Sequence, residues 1–288
     1  MSAVAKPEPF SSVILLREAQ PHGVEVFLTR RPDELPVIGG KYCFPGGAVY
    51  KSDHAANILR RCRGLSGERA RKVLGAHFAP PEALGCWIAA IRVLFEEIGI
   101  LFAVKENGEP ITWSPTGKPV APSTTPVGRN PEQDPPAKAG DRVEGSDAEL
   151  NLRLLEKCAA RRDGALDFTA LMERENLFCD AGKFAYFSHW QTPGEFSRSF
   201  DARFFLAAVP DYSTPLRTSH EVAHSLWLSP DRALQLFAQG ELPMAFPTFA
   251  SLRTLADFDD VSRLLKEFQT PLAISKRATE TSGSKKSV

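Results

Sequence analysis

Three charged residues interrupt an otherwise apolar stretch of this chain. Between Ala83 and Val104 the only charged side chains are Arg92, Glu96 and Glu97. Arg92 and Glu96 stand four apart, so on a helix they share a face and can pair. Glu96 and Glu97 are adjacent, and two carboxylates in apolar surroundings repel each other. A hard divalent metal is the usual compensation for clustered oxygen ligands. A second element is Phe44-Pro45-Gly46-Gly47, whose glycines permit backbone geometry that brings main-chain N–H groups close to an anion such as a phosphate. Each element alone has an ordinary structural reading: a buried helix with one ion pair, and a plain turn.

Together they mean more. Phe44-Pro45-Gly46-Gly47 followed by Arg92-Val93-Leu94-Phe95-Glu96-Glu97-Ile98-Gly99-Ile100 resembles the signature of the Nudix hydrolases. That signature is a glycine loop and then a helix reading R-E-U-x-E-E-x-G-U, where U is a bulky aliphatic. The resemblance covers most of the chain, residues 10 to 270. It implies an α/β fold, a Nudix-like α/β/α sandwich with a mixed β-sheet, carrying a helical insertion in the box and a Pro-rich loop. It also implies hydrolysis of a diphosphate bond in a nucleoside-diphosphate-linked substrate. By the same resemblance Glu96 and Glu97 hold Mg2+ or Mn2+, and Arg92 orients the carboxylates.

The sequence departs from the signature in three places. Between Gly47 and Arg92 lie 44 residues, positions 48–91, as in family members with an insertion inside the box, among them the coenzyme A diphosphatase branch. The Glu expected after Arg92 is Val93, and the Glu expected eight residues before it is Leu84. Glu82 stands two residues from that second gap. Loss of box carboxylates gives a second hypothesis, a catalytically impaired Nudix-fold ligand-binding or regulatory protein. Many family members draw a further carboxylate from a loop beyond the box; here Glu221 holds that place and is the expected extra ligand or base. His220-Glu221-Val222-Ala223-His224 also spells the zinc-peptidase motif HExxH. That chemistry needs both histidines on one helical face, whereas Ser225-Leu226-Trp227-Leu228 reads as a strand.

A coenzyme A element is expected upstream. In the branch that cleaves coenzyme A, a motif of the form L-L-T-x-R precedes the glycine loop. Phe27-Leu28-Thr29-Arg30-Arg31 and Gly40-Lys41 fit its spacing, with Pro36 where a middle Arg would stand. Arg30, Arg31 and Lys41, with Gly46 and Gly47, are the expected substrate-binding residues. Coenzyme A or an acyl-CoA is the first expected substrate.

These residues need a scaffold, and periodicity supplies its outline. Ser12–Arg17 and Val24–Thr29 read as strands joined by turn residues Pro21-His22-Gly23, an N-terminal hairpin. Residues 55–75 suggest one or two short surface helices. Pro80-Pro81-Glu82 opens a helix over Ala83–Glu97, and Gly99 closes it. Helical spacing returns over 148–161, 168–175, 232–239, 248–257 and 260–268; strands are expected over 184–190, 203–209 and 225–228. One domain, 8–270, is expected, with its insertion at 51–80. Residues 105–145 carry eight of the 23 prolines and read as a mobile loop; 271–288 read as a disordered tail.

Composition narrows the function classes. Lys and Arg total 35 and Asp and Glu 35, a formal charge of zero, so no global field gathers nucleic acid or an anionic membrane. The five cysteines are scattered without a CxxC pair, which argues against a secreted disulfide framework. The start lacks the pattern of a signal peptide. A cytoplasmic protein with a small-molecule diphosphate substrate, and with homodimerisation left open, is expected.

Overall fold

The computed structural model describes residues 7–19, 23–111, 150, 153–154, 156, 167–192, 199–210, 215 and 219–269. The strands are β1 (Glu8–Glu18), β2 (Val24–Arg30), β3 (Tyr42–Cys43), β4 (Gly46–Ala48), β5 (Cys62–Arg63), β6 (Ala103–Val104), β7 (Phe178–Asp180), β8 (Ala185–Gln191), β9 (Phe200–Ala208) and β10 (His224–Leu228). The helices are α1 (Ala56–Arg60), α2 (Gly67–Leu74), α3 (Pro80–Ile98), α4 (Phe168–Arg174), α5 (Pro230–Ala238), α6 (Phe246–Leu255) and α7 (Val261–Phe268). A 3-10 turn at Lys51–His54 precedes α1.

The main sheet runs β10-β2-β1-β9-β8, with β3 attached to β2 and β4 to β1. The expected hairpin is present, with Leu16 opposite Val26 in an antiparallel ladder. β9 pairs with β1 in parallel over its full length, Glu8 opposite Phe200 through Leu16 opposite Ala208, which makes the sheet mixed. A second small sheet, β5-β7-β6, ties the box insertion to the segment after α4.

Alternation along β1 divides the core in two. Val13 and Leu15 join Phe27, Phe205 and Ala207 against Trp87, Ile88, Ile91 and Leu94 of α3. Ile14 and Leu16 join Val26, Leu28, Phe204 and Leu206 against Ala233, Leu252 and Leu264 of α5, α6 and α7. Residues one apart in a strand face opposite ways, so one strand feeds both layers. This is the expected α/β/α sandwich. Each fully buried large side chain contributes roughly 1.5–3 kcal/mol, and α3 supplies Trp87, Ile88, Ile91, Leu94 and Phe95. It is the best-anchored helix in the chain.

The ends of α3 follow from its sequence. Glu82 Oε2 accepts from the Ala79 N–H at 3.2 Å behind prolines in the first turn, and Gly99 stops the helix at φ +68°, where a side chain would be strained. The expected mobile loop lies outside the described residues from 112 onward, as does the tail from 270. Residues 105–111 form a closed turn, in which the Lys105 N–H donates to Glu109 O at 2.8 Å and Ile111 is buried. Of the helix expected over 148–161, the described residues 150, 153, 154 and 156 are helical. Among the described residues no helix is long and apolar enough to cross a membrane.

Candidate active site

The glycine loop is fastened at both edges. β4 runs antiparallel to β1, with Gly46 opposite Ser12 and Gly47 opposite Ser11, and the Val13 N–H donates to Pro45 O at 2.8 Å. A Cβ on Gly46 would lie 2.7 Å from Phe10 Cε1 and 2.9 Å from Ser11 O; one on Gly47 would lie 2.7 Å from Val93 Cγ1. The glycines are therefore required by close packing against β1 and α3. The Gly46 amide already donates to Glu97 Oε2 at 3.3 Å, so this N–H positions a carboxylate instead of waiting for a phosphate.

Arg92 is the anchor of the site. Nε donates to Asp53 Oδ1 at 2.7 Å and Nη2 to Asp53 Oδ2 at 2.9 Å, a forked pair of the kind that fixes geometry as well as charge. Nη1 donates to Glu96 Oε2 at 2.8 Å and Nη2 to Ala48 O at 2.7 Å. The guanidinium carbon lies 4.5 Å from the centre of the Tyr50 ring. Asp53 and Arg92 are 2% and 4% exposed. Burial alone would disfavour the charged guanidinium, but Asp53 and then Glu96 more than offset it, so Arg92 stays protonated.

Asp53 was not among the residues expected from sequence. The expected position is eight residues before Arg92, which Leu84 holds. The structure puts Leu84 in the apolar cluster of α3, about 20 Å along the helix from Glu97 at 1.5 Å per residue. Glu82 is spent on the helix start. The insertion is expected over 51–80, yet Asp53, six residues beyond Gly47, is the carboxylate that pairs with Arg92, so the insertion is better counted from after it. Counting forward from the glycines would have found it. Leu84 therefore does not mark a lost partner for Arg92.

Glu97 is 9% exposed. Its carboxyl is pushed up to about 8, first by burial and then by the negative charge of Glu221; Arg31 and the Gly46 amide pull the other way, and Glu96 adds a smaller upward push. Glu96, Glu97, Glu221 and Arg31 thus act on one another. Glu221 pairs with Arg31 Nη1 at 3.1 Å, and its own N–H donates to Ser219 Oγ at 3.0 Å. Arg31 Nε is buried without a hydrogen-bond partner among the described residues. Cys43, a second residue that sequence reasoning missed, lies in the same neighbourhood. Burial, followed by the charge of Glu97, pushes its thiol up to about 12, which leaves it a poor nucleophile.

Other expected residues stand apart. Arg30 Nη2 pairs with Asp33 at 2.8 Å, and Lys41 is exposed. Val93 is 2% exposed and fills the space under Gly47. The HExxH residues do not form a helix: 219–221 make a turn and His224 opens β10, its Nδ1 3.3 Å from the Tyr42 hydroxyl.

A divalent cation fits the donors in one respect. Glu96, Glu97 and Glu221 offer only hard oxygens, and a cation would relieve the repulsion that raises Glu97. The set is loose, however: among the described residues no group of three or more His, Cys, Asp or Glu could hold a metal ion. Val93 contributes no oxygen, and Arg31 holds Glu221.

Comparison with known proteins bears on the family and the fold. The family model described as NUDT19 Nudix domain matches residues 4–255. The curated acyl-coenzyme A diphosphatase NUDT19 of Gallus gallus is 29% identical over 274 residues, covering 85% of this chain and 65% of that protein. The chain thus spans just under two thirds of that relative's length. A crystal structure of a NUDIX hydrolase from Alicyclobacillus acidocaldarius shares the fold, with a TM-score of 0.63 at 22% identity over 89% of this chain and 94% of that chain.

Proposed function

We propose that this chain, which belongs to the Nudix family through its NUDT19-type domain, hydrolyses the diphosphate bond of a nucleoside-diphosphate-linked substrate, with coenzyme A or an acyl-CoA the first candidate. The observation that supports the reading is α3 against the glycine loop: the Gly46 amide donates to Glu97, Arg92 braces Glu96, and the charge of Glu221 acts on Glu97. The relative whose printed name is an acyl-coenzyme A diphosphatase supports the choice of substrate.

To hold Mg2+ or Mn2+, Glu96, Glu97 and Glu221 would have to draw together from the loose arrangement described above; the ion would supply charge neutralisation and a more acidic water. Arg92 keeps the Glu96 carboxylate fixed, so little reorganisation is left for the reaction itself. Arg31 brings a buried N–H that a phosphate oxygen would satisfy, and a charge-assisted bond of that kind is among the stronger ones. Glu221 lies on a loop edge where it can accept a proton from the attacking water. The water oxygen forms a bond to phosphorus as the bridging P–O bond breaks, and the leaving phosphate departs as the second product.

One observation favours a weaker or silent enzyme: Val93 packs under Gly47 where the signature has a carboxylate. On that reading the chain binds a diphosphate ligand without turning it over, and Val93→Glu raises metal affinity or activity. The test is incubation of the purified chain with coenzyme A and Mg2+ or Mn2+, beside Glu97→Gln. Turnover that Glu97→Gln abolishes supports the hydrolase. Ligand-induced stabilisation without turnover at either metal supports the silent protein instead.

A further inference from the structure

A cleft of about 290 Å3 opens beside the Arg92 anchor, bordered by Tyr50, Ser52, Glu96, Asp167 and Phe168. Its size is at the lower end for ligand pockets, enough for a ring system and too small for a whole dinucleotide. It shares Glu96 with the carboxylate set, so a group seated here lies next to the diphosphate position. The lining argues against a phosphate. Asp53, Glu96 and Asp167 outnumber Arg92, and Arg92 already donates four hydrogen bonds to Asp53, Glu96 and Ala48.

What remains suits a flat, uncharged group that donates hydrogen bonds. Tyr50 is 52% exposed, an unusual state for a large aromatic ring in a well-packed domain, and the Arg92 guanidinium stacks on it at 4.5 Å. The ring is therefore held in place before any ligand arrives. Asp167 caps α4 through Oδ1, which accepts from the Thr169 and Ala170 amides, leaving Oδ2 as an acceptor. Ser52 also lines the cleft, and its hydroxyl can accept or donate, so the carboxylate sets the preference. An aromatic platform beside a carboxylate acceptor matches a purine with an exocyclic amine, and mismatches one with a carbonyl at that position.

We propose that this cleft is the nucleobase subsite, taking an adenine-type base stacked on Tyr50 with its amine donating to Asp167. The proposal rests on the diphosphatase reading for why a nucleotide comes here, and it is tested without turnover. Titration of the full chain with adenosine and with inosine, free of divalent metal, measures base binding alone. Adenosine is expected to bind roughly tenfold more tightly, because a carbonyl in place of the amine sets an acceptor against the carboxylate. Tyr50→Phe keeps the affinity. Tyr50→Ala, checked for folding by thermal unfolding, loses roughly tenfold through lost stacking. Asp167→Asn retains a helix-capping side chain and brings the adenosine-to-inosine ratio close to one. Equal affinity for the two nucleosides, no binding of either, or unchanged affinity in a folded Tyr50→Ala overturns the subsite. Adenosine selectivity in a chain that never cleaves a diphosphate sinks the hydrolase reading and leaves the subsite standing; cleavage without selectivity does the reverse.

Discussion

Glu97 stands out in the candidate site because its surroundings oppose its charge. In the unfolded chain a glutamate titrates near about 4.3; folded, Glu97 is pushed up to about 8 by burial and by Glu221. The folded protein therefore binds more protons than the unfolded one between those values. Stability of the metal-free chain should fall as pH rises from about 5 to about 8, with a slope approaching 1.4 kcal/mol per unit. Urea unfolding in the presence of a chelator checks this, and Glu97→Gln should flatten the slope; an equal slope in both proteins would refute the assignment. Gly47 makes a second claim at this scale. Its absent Cβ leaves room for Val93 Cγ1, so Gly47→Ala should cost roughly 1–3 kcal/mol by overpacking. In a Val93→Ala background the same change should cost much less. Equal costs would mean that another contact requires the glycine. The residue types that carry the chemistry were readable from sequence, since charges in an apolar helix stand out. Asp53 was missed because its partner Arg92 lies 39 positions away and the carboxylate was counted back from Arg92, across the insertion, and not forward from Gly47.

α3 turns that pairing into architecture. Its start, its apolar face and its glycine stop were all legible, because each depends on neighbours within a few positions. So was the β1–β2 hairpin. The two-residue strands β3, β5 and β6 carry too few residues for a period. The parallel seating of β9 between β1 and β8 is a long-range choice that no local pattern encodes. The same distinction explains the misplaced carboxylate, which was sought on α3 while the insertion had left it on the turn before α1. Asp53→Asn should destabilise the chain, by less than the roughly 3–5 kcal/mol of a fully broken buried pair because Glu96 still balances Arg92, measured by denaturant unfolding. Leu84→Glu restores the signature on paper. It should nonetheless destabilise the chain by burying an unpaired carboxylate and bring no gain in turnover. A gain would return position 84 to the site.

At the scale of the molecule, the zero net charge averages over unlike parts. The main sheet carries α3 on one face and α5–α7 on the other. Glu96 and Glu97 lie where α3 meets the glycine loop, and among the described residues Arg92 pairs with Glu96 and Arg31 with Glu221. No global field is needed if the diphosphate is met by Arg31 and a divalent ion. Family membership follows from a match across residues 4–255, which includes the insertion that separates Asp53 from Arg92. The central claim is that these carboxylates hydrolyse a diphosphate despite Val93. Mass analysis of coenzyme A incubated with the purified chain and Mg2+ or Mn2+ tests it most directly. The account predicts phosphopantetheine and an adenosine bisphosphate, formed by the wild type and absent with Glu97→Gln. Intact coenzyme A at both metals, or equal cleavage by Glu97→Gln, would contradict it.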